Sequence, residues 1–537
     1  MISTRKEPHH ITDISKASEQ LAHVDPHDLL PLPPPYDKLE ELPPFKALTQ
    51  TQKDSVESSL DDTVVVGLPK VTSPVEAEKL VQAFIKGLKK LFTKENNWTF
   101  LEPLLLSMEH CARCQTCADS CPIYEASGFN EVYRPTFRAE VLRRLYFKYV
   151  KSGSAWYKKF QNGDIELNWT LMARLLELSY RCTLCRRCAQ SCPIGVDNGL
   201  ITREIRKVFS SELGLTQKDL HEKGTVQQLR VGSSTGMNAL AVKDSVDFID
   251  EDMTERTGIE VKTKWDVEGA DVLLLHNAGE FISWPENHGS FALLLDAAGI
   301  SWTLSSDIVG YDGVNYGLFY DDVQLARIAH KHFEIAKKLK VKKIVMGECG
   351  HENKALGVTS DRVFQSTPRE TGLTLIEQIV FSGKIKFDPS RNDFPVTLHD
   401  PCNVVRSMGV VEPQRRVLRH LAPQFREMEP HGVHNYCCGG GSGFAVMSPY
   451  NFQDWRVQIS GRKKFKQILE AFADTDLNSN SPKYVCAPCS NCKGQMRDML
   501  QYFGAKQKSG IHYGGLVELV VNAMVDVKSP FLNFEEM

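Results

Sequence analysis

The chain carries 64 basic and 67 acidic side chains in 537 residues, a net charge of −3 that offers no general attraction to nucleic acid. Its length predicts about three or four domains. No apolar run approaches the ~20 residues that cross a bilayer, and the first residues lack a signal-peptide core, so the expectation is a cytoplasmic chain that meets a membrane peripherally or through a partner.

Residues 1–72 predict an extended Pro-rich arm, through Pro31 to Tyr36 and then Pro43-Pro44. Either it is a disordered tail, or Tyr36, Leu39, Leu42 and Phe45 anchor it against a partner protein. Residues 73–212 read as helical. Ser73-Pro74-Val75-Glu76 has the form of a capping box, and Ala77, Leu80, Val81, Phe84, Leu88, Leu91 and Phe92 then fall on one face. Further helices are expected over about 136–151 and 168–180.

Two runs inside this region repeat one spacing. Cys111, Cys114, Cys117 and Cys121-Pro122 form the first, and Cys182, Cys185, Cys188 and Cys192-Pro193 the second. Each reads C-x2-C-x2-C-x3-C-P, the ligand run of a [4Fe–4S] ferredoxin, and the spacing implies two cubane clusters. In such pairs the fourth cysteine ligates the other cluster. One cluster is therefore assigned to Cys111, Cys114, Cys117 and Cys192, the other to Cys182, Cys185, Cys188 and Cys121. The long insert between the runs favours the all-helical ferredoxin type over a compact β-hairpin one. Arg186 and Arg187, between ligands, either raise a cluster potential or form a solvated docking face.

Residues 213–265 read as a polar linker or excursion. The rest alternates strand and helix, with strands expected over 272–275, 344–346, 396–399 and 484–486. Helices are expected over about 290–299, 322–339, 413–421, 453–473 and 515–525. The fold class is thus a helical ferredoxin domain followed by two repeated α/β units, at 266–390 and 391–537.

In the second unit Cys402, Cys437-Cys438-Gly439 and Cys489-x2-Cys492 supply five thiols from three loops, a third iron–sulfur site at the carboxyl ends of strands. Cys486 is an alternative ligand ranked behind Cys492. Four of these thiols could instead hold a structural zinc. In the first unit His276-Asn277-Ala278, Gly313 to Gly317 and Glu348-Cys349-Gly-His351-Glu352 occupy the corresponding places. Only Cys349 keeps a cysteine there, opposite Cys489, so this unit is expected to hold no cluster. Cys349 is then either vestigial or a functional thiol beside Glu352 and His351.

Around the third site, His399, His431 and His434 are candidate proton sources or structural histidines. Lys493 either attracts an anionic sulfur group or is structural, and Arg462-Lys463-Lys464-Lys466 is either the wet face of a helix or a docking patch.

The Cys402, Cys437-Cys438-Gly439 and Cys489-x2-Cys492 pattern resembles the CCG domain of heterodisulfide reductases. A two-cluster ferredoxin followed by CCG-type units is similar to the D-type component of those reductases. From about residue 30 onward the chain resembles the DsrK family, the iron–sulfur subunits of the membrane DsrMKJOP complex. The segments that carry this likeness are Asn97 to Leu101, Tyr133 to Arg138, His399 to Arg406 and Cys437 to Gly443. The emptied first unit departs from the D-type pattern and favours the DsrK-like branch.

The resemblance implies a cytoplasmic iron–sulfur component that docks on a DsrM-like quinone-reactive cytochrome b. The substrate would be the disulfide or trisulfide of a DsrC-like sulfur-carrier protein, reduced or in reverse oxidised, in dissimilatory sulfur metabolism. The third cluster would be a [4Fe–4S] of non-cubane form bound by five thiolates. Because a disulfide needs two electrons and a cubane passes one at a time, that site would need an iron within reach of substrate sulfur. The alternative is a pure electron-transfer component of a membrane dehydrogenase.

Overall fold

The computed structural model describes residues 10–17, 20–38, 45–57, 60–160, 165–360, 362 and 367–535. The chain forms two units. The first takes residues 1–220, 319–322 and 439–466, and the second takes 221–318, 323–438 and 467–537.

Among the described residues the regular elements of the first unit are helical. They include α1 (Pro74–Leu91), α2 (Leu101–Glu109), α3 (Pro135–Tyr149), α4 (Ala155–Phe160), α5 (Trp169–Ser179) and α6 (Asn198–Leu213). The α1 face forms as its periodicity predicts, with Val81, Phe84, Leu88 and Leu91 buried. Its cap is simpler than expected, since Ser73 accepts the Glu76 amide hydrogen bond without a return bond from Glu76. The insert between the cysteine runs is helical, in agreement with the all-helical ferredoxin expectation.

The described part of the Pro-rich arm packs on its own chain. Ile14, Leu21, Leu29, Leu32, Val64 and Val65 are buried, and Tyr36 meets Phe465 edge-on at 4.9 Å. The Glu177 carboxylate accepts from the backbone N–H groups of Val65, Val66 and Gly67 at 2.9–3.1 Å. Phe45 is half-buried, and Leu39 and Leu42 lie outside the described residues. The segment 439–466 completes this unit: Trp455 packs on Tyr133, and Arg206 on α6 donates to Ser442.

The second unit holds two four-stranded parallel sheets. Its elements are α7 (Ala239–Thr257), β1 (Val272–Leu275), α8 (Pro285–Ala297), β2 (Trp302–Thr303), α9 (Asp322–Lys338) and β3 (Lys343–Met346). Next come α10 (Gly350–Ser360), β4 (Arg369–Thr371), α11 (Gly372–Val380), β5 (Val396–Leu398), α12 (Cys402–Val405) and α13 (Pro413–Leu421). The last are β6 (Phe425–Arg426), β7 (Lys483–Cys486), α14 (Ser490–Tyr502), β8 (Ile511–Gly514) and α15 (Leu516–Ala523). The orders are β2-β1-β3-β4 and β6-β5-β7-β8, so the two sheets share one topology.

The apolar strands are buried on both faces, as parallel strands covered by helices must be. A shared core joins Val272 and Leu274 of the first sheet to Val396 and Leu398 of the second through Leu373, Val417 and Val520. Residues 213–265 are not a linker. They carry the 19-residue α7, whose Val242, Val246, Ile249 and Met253 are buried in that core. Charged residues between these positions dilute the apolar stripe in the sequence.

Candidate functional site

The two cysteine runs fold alike. Arg113 and Gln115 flank Cys114 in the left-handed region, at φ 56° and 67°, and Leu184 and Arg186 flank Cys185 in the same way, at 52° and 61°. Left-handed backbone at non-glycine residues is costly and, once offset by the surroundings, turns successive N–H groups toward a common centre that suits an anion. A small cavity is lined by Cys111, Cys114, Cys117 and Cys192. Burial, with Cys111 and Cys192 beside it, pushes the Cys117 thiol up to about 11. Cys121 is likewise pushed up to about 11 by burial, with Cys185 and Cys182 close, and Cys188 is raised by burial and by Asp197, Cys185 and Cys182. Cys192 thus lines one cavity with Cys111, Cys114 and Cys117, and Cys121 lies close to Cys182, Cys185 and Cys188.

Arg186 does not face a cysteine set as a free cation. It pairs with Asp197 at 2.5 Å, and Asp197 caps α6 by accepting from Leu200 at 3.0 Å. Arg187 reaches back to the Ser120 carbonyl, tying the second run to the first. The arginines that matter electrostatically are two that periodicity alone did not single out. Arg138 on α3 is buried beside Cys182, Cys121 and Cys188. Arg206 donates to the Ser179 and Cys182 carbonyls at 2.7 and 2.9 Å and lies over the Tyr180 ring. Arg138 closes the Tyr133 to Arg138 segment, which is the signal that could have found it.

The third set sits where the sheets of the second unit end. His399 follows β5 directly and Cys402 opens α12; Cys489 stands three residues beyond β7 and Cys492 one turn into α14. The His399, Cys438 and Cys492 ligand atoms lie within 4.8 Å of one another, all buried. Hydrogen bonds from Cys437, Cys492 and His399 hold the Cys438 thiol well below its usual range, and a bond from Cys492 lowers Cys489. Four cysteines and a histidine therefore converge.

The loops are pinned by buried charge. Arg415 on α13 grips Asp400 through both carboxylate oxygens, and Asp400 also accepts from the Gly432 amide at 2.6 Å. Arg406 donates to the Val433 and Asn435 carbonyls, fixing the approach to Cys437-Cys438. Gly439, at φ 95°, admits no side chain, because a Cβ there would lie 2.6 Å from the Gly461 backbone.

The first sheet contributes to this site. Its α10 begins at Gly350, whose N–H is bonded to Cys489 and whose Cβ position lies 3.6 Å from Cys489 Sγ. Cys349 and Cys489 each stand three residues beyond a central strand, and their amides close the same turn, to Gly347 O and Ala487 O at 2.8 and 2.7 Å. Cys349 is buried, with Asn277 Nδ2 at 4.0 Å. His276, one residue past β1 as His399 is past β5, is a core histidine ringed by Phe281, His288 and Phe291.

Several candidates fall elsewhere. Cys486 ends β7 and is buried in the apolar core, as a strand residue of that sheet. His431 and His434 are exposed, and His431 pairs with Glu429 at 3.1 Å. Lys493 faces no solvent: it is wholly buried, 2.5 Å from Glu280 and 3.8 Å from Glu518, beneath the Trp284 ring. The 462–466 stretch is not a wet face either. Arg462 and Lys464 are buried, and Lys463 pairs with Glu125 at 2.6 Å.

The donor sets fit iron–sulfur clusters. Thiols are the ligands such clusters take, and the left-handed turns beside Cys114 and Cys185 suit an anionic group. Comparison with known proteins agrees with this. Residues 107–196 match the 4Fe-4S dicluster domain family, and residues 396–497 match the Cysteine-rich domain family. A relative named Hdr-like menaquinol oxidoreductase iron-sulfur subunit 2, from Archaeoglobus fulgidus, is 28% identical over 83% of this chain and 84% of its own length. The corresponding iron-sulfur protein of Archaeoglobus profundus is 26% identical over 78% of this chain and 79% of its own. The D component of the dihydromethanophenazine:CoB--CoM heterodisulfide reductase of Methanosarcina barkeri is 25% identical over 78% of this chain and 95% of its own. The chain is thus similar to Hdr-like and D-type iron–sulfur proteins over most of its length. Among the described residues no helix is long and apolar enough to cross a membrane.

Proposed function

We propose that this chain is the catalytic iron–sulfur subunit of a quinone-linked, membrane-associated oxidoreductase of the DsrMKJOP type. It would reduce, or in reverse oxidise, the disulfide or trisulfide of a DsrC-like sulfur-carrier protein, on the cytoplasmic side and docked to a DsrM-like cytochrome b. The observation that carries the reading is the convergence of Cys437, Cys438, Cys489, Cys492 and His399 at the ends of one parallel sheet. Support comes from relatives named as parts of a menaquinol oxidoreductase and of a heterodisulfide reductase.

In this reading Cys111, Cys114, Cys117 and Cys192 hold one cubane, and Cys182, Cys185, Cys188 and Cys121 the other. Cys402, Cys437, Cys438, Cys489 and Cys492 hold a third cluster of non-cubane form. When bound, the clusters supply one-electron carriers and iron with affinity for sulfur. The protein's own part is positioning. Asp400, held by Arg415, fixes the loop before Cys402, and Arg406 fixes the loop before Cys437. His399, bonded to Cys438, can hold a proton at that sulfur, and Gly350 donates to Cys489. Arg138 and Arg206 offset the charge of the second cubane set. The first sheet is a degenerate copy of the second that keeps the fold without a cluster and walls the surviving site.

A second reading, in which the third cluster is only a relay, is favoured by burial: none of its five cysteines is more than 8% exposed. The deciding experiment titrates the anaerobic holoprotein with the oxidised carrier. A paramagnetic signal of the third cluster that changes with the carrier, and is lost in Cys438→Ser with both cubane signals intact, supports catalysis. Indifference to the carrier supports the relay, and zinc in place of about a third of the iron would overturn both.

A further inference from the structure

From residue 141 to residue 163 the chain carries six basic side chains and no acidic one. In the middle of this run lies the short helix α4. Ser154 caps it, its Oγ accepting from the Tyr157 amide at 3.2 Å and its carbonyl accepting from the Lys158 amide at 3.0 Å. Tyr157 folds back over Gly153, whose Cβ position it would meet at 3.0 Å. Trp156 and Phe160, one turn apart, stay outside. They are 74% and 71% exposed and stack on each other with ring centroids 5.7 Å apart and planes 15° from parallel.

A stacked indole and phenyl ring left in water is an unfavourable surface unless something covers it. The composition points to the cover. Trp and Tyr beside Lys is the chemistry of the membrane–water interface, where the rings sit at headgroup level and the amines meet phosphate. Lys158 donates to the Lys148 carbonyl and Lys148 to the Ile165 carbonyl, so the bonds found for both amines go to neutral acceptors. Other cations of the run are held by acids outside it: Arg143 and Arg144 by Glu140, and Lys151 by Glu109 at 2.5 Å.

We propose that α4 is a lipid contact, with Trp156 and Phe160 entering the interface of a bilayer that carries anionic headgroups and Lys148 and Lys158 meeting those headgroups. Two rings and a few lysines give a weak, reversible attachment. It adds to any docking through a membrane protein by raising the effective concentration of the chain at the surface. The inference does not rest on the substrate or direction proposed above, and its test needs neither.

The test is flotation of the full-length holoprotein with phosphatidylcholine vesicles, with and without phosphatidylglycerol. The wild type is expected to float with the anionic vesicles, less as salt is raised, and its tryptophan emission is expected to be quenched by brominated lipid. Trp156→Ser/Phe160→Ser is expected to lower the bound fraction about fivefold or more, and Lys148→Glu/Lys158→Glu to remove the preference for anionic lipid. Both variants should keep the visible absorption of the clusters. The proposal is overturned if the wild type stays with the soluble fraction, if the double aromatic variant floats as the wild type does, or if attachment appears only when a protein partner is supplied.

Discussion

Lys493 Nζ lies 2.5 Å from Glu280 Oε2, and neither side chain is more than 1% exposed. The pair joins α14, one residue after Cys492, to the short helix that follows β1. Glu280 also accepts from Ser490, the residue after Cys489. The acid of the first sheet therefore steadies both flanks of the Cys489–Cys492 turn.

Breaking such a pair from one side leaves a buried charge alone, which costs about 3–5 kcal/mol. Lys493→Met is expected to destabilise the protein by that order, while Lys493→Met/Glu280→Gln recovers much of it. Denaturant unfolding of the two variants beside the wild type checks this. Equal losses in both would show that the lysine acts through something other than Glu280.

Glu348 sits in the same group. Burial, with Glu518 and Glu280 nearby, pushes its carboxyl up to about 8. A carboxyl raised in the folded state favours the native protein fully below its unfolded value, ~4.5, and that benefit is lost as pH climbs through about 8. Thermal stability of the wild type should therefore fall by a few kcal/mol between about pH 5 and 8 from this group alone. Glu348→Gln, which keeps the shape without the proton, should flatten that slope. An unchanged slope in melting curves taken across this range would remove Glu348 from the account.

Arg138 is buried beside Cys182, Cys121 and Cys188, which the proposal assigns to one cluster. Its positive charge favours the reduced cluster, so Arg138→Gln should lower the potential of the set held by Cys182, Cys185, Cys188 and Cys121 by tens of millivolts, in order of magnitude. The other set should not move. Redox titration followed by electron paramagnetic resonance separates the two, and a common shift in both would contradict the assignment.

Cys486 faces the apolar core rather than the thiols. Cys486→Ala should keep all the iron and cost about 1 kcal/mol or less in stability. Cys492→Ser should lose the iron of the third site. Iron and sulfide analysis of the two variants distinguishes them, and loss of iron in Cys486→Ala would restore it as a ligand.

What the sequence made plain was local. Ligand spacing is written in consecutive residues, so both cysteine runs and the Cys437-Cys438-Gly439 turn were readable directly. The apolar runs Val272–Leu275 and Tyr484–Cys486 were also clear, because a strand buried on both faces reads as an unbroken apolar run. The edge strands were not. Trp302–Thr303 and Phe425–Arg426 are two residues long, too short to show a period. The buried charge pairs were not legible. Lys493 and Glu280 are 213 positions apart, and Arg181 and Asp61 are 120 apart, so no local pattern joins either pair.

The return of residues 439–466 to the first unit has a practical corollary. Neither unit is one continuous stretch of polypeptide. A gene fragment ending near residue 220 would lack Trp455 and Phe465, the rings that cover Tyr133 and Tyr36. A fragment starting there would carry a 28-residue, partly helical segment stripped of its seat, immediately after Cys438. The ferredoxin portion and the cysteine-rich portion are thus interlaced along the chain, and dissecting this protein calls for point substitutions rather than truncation.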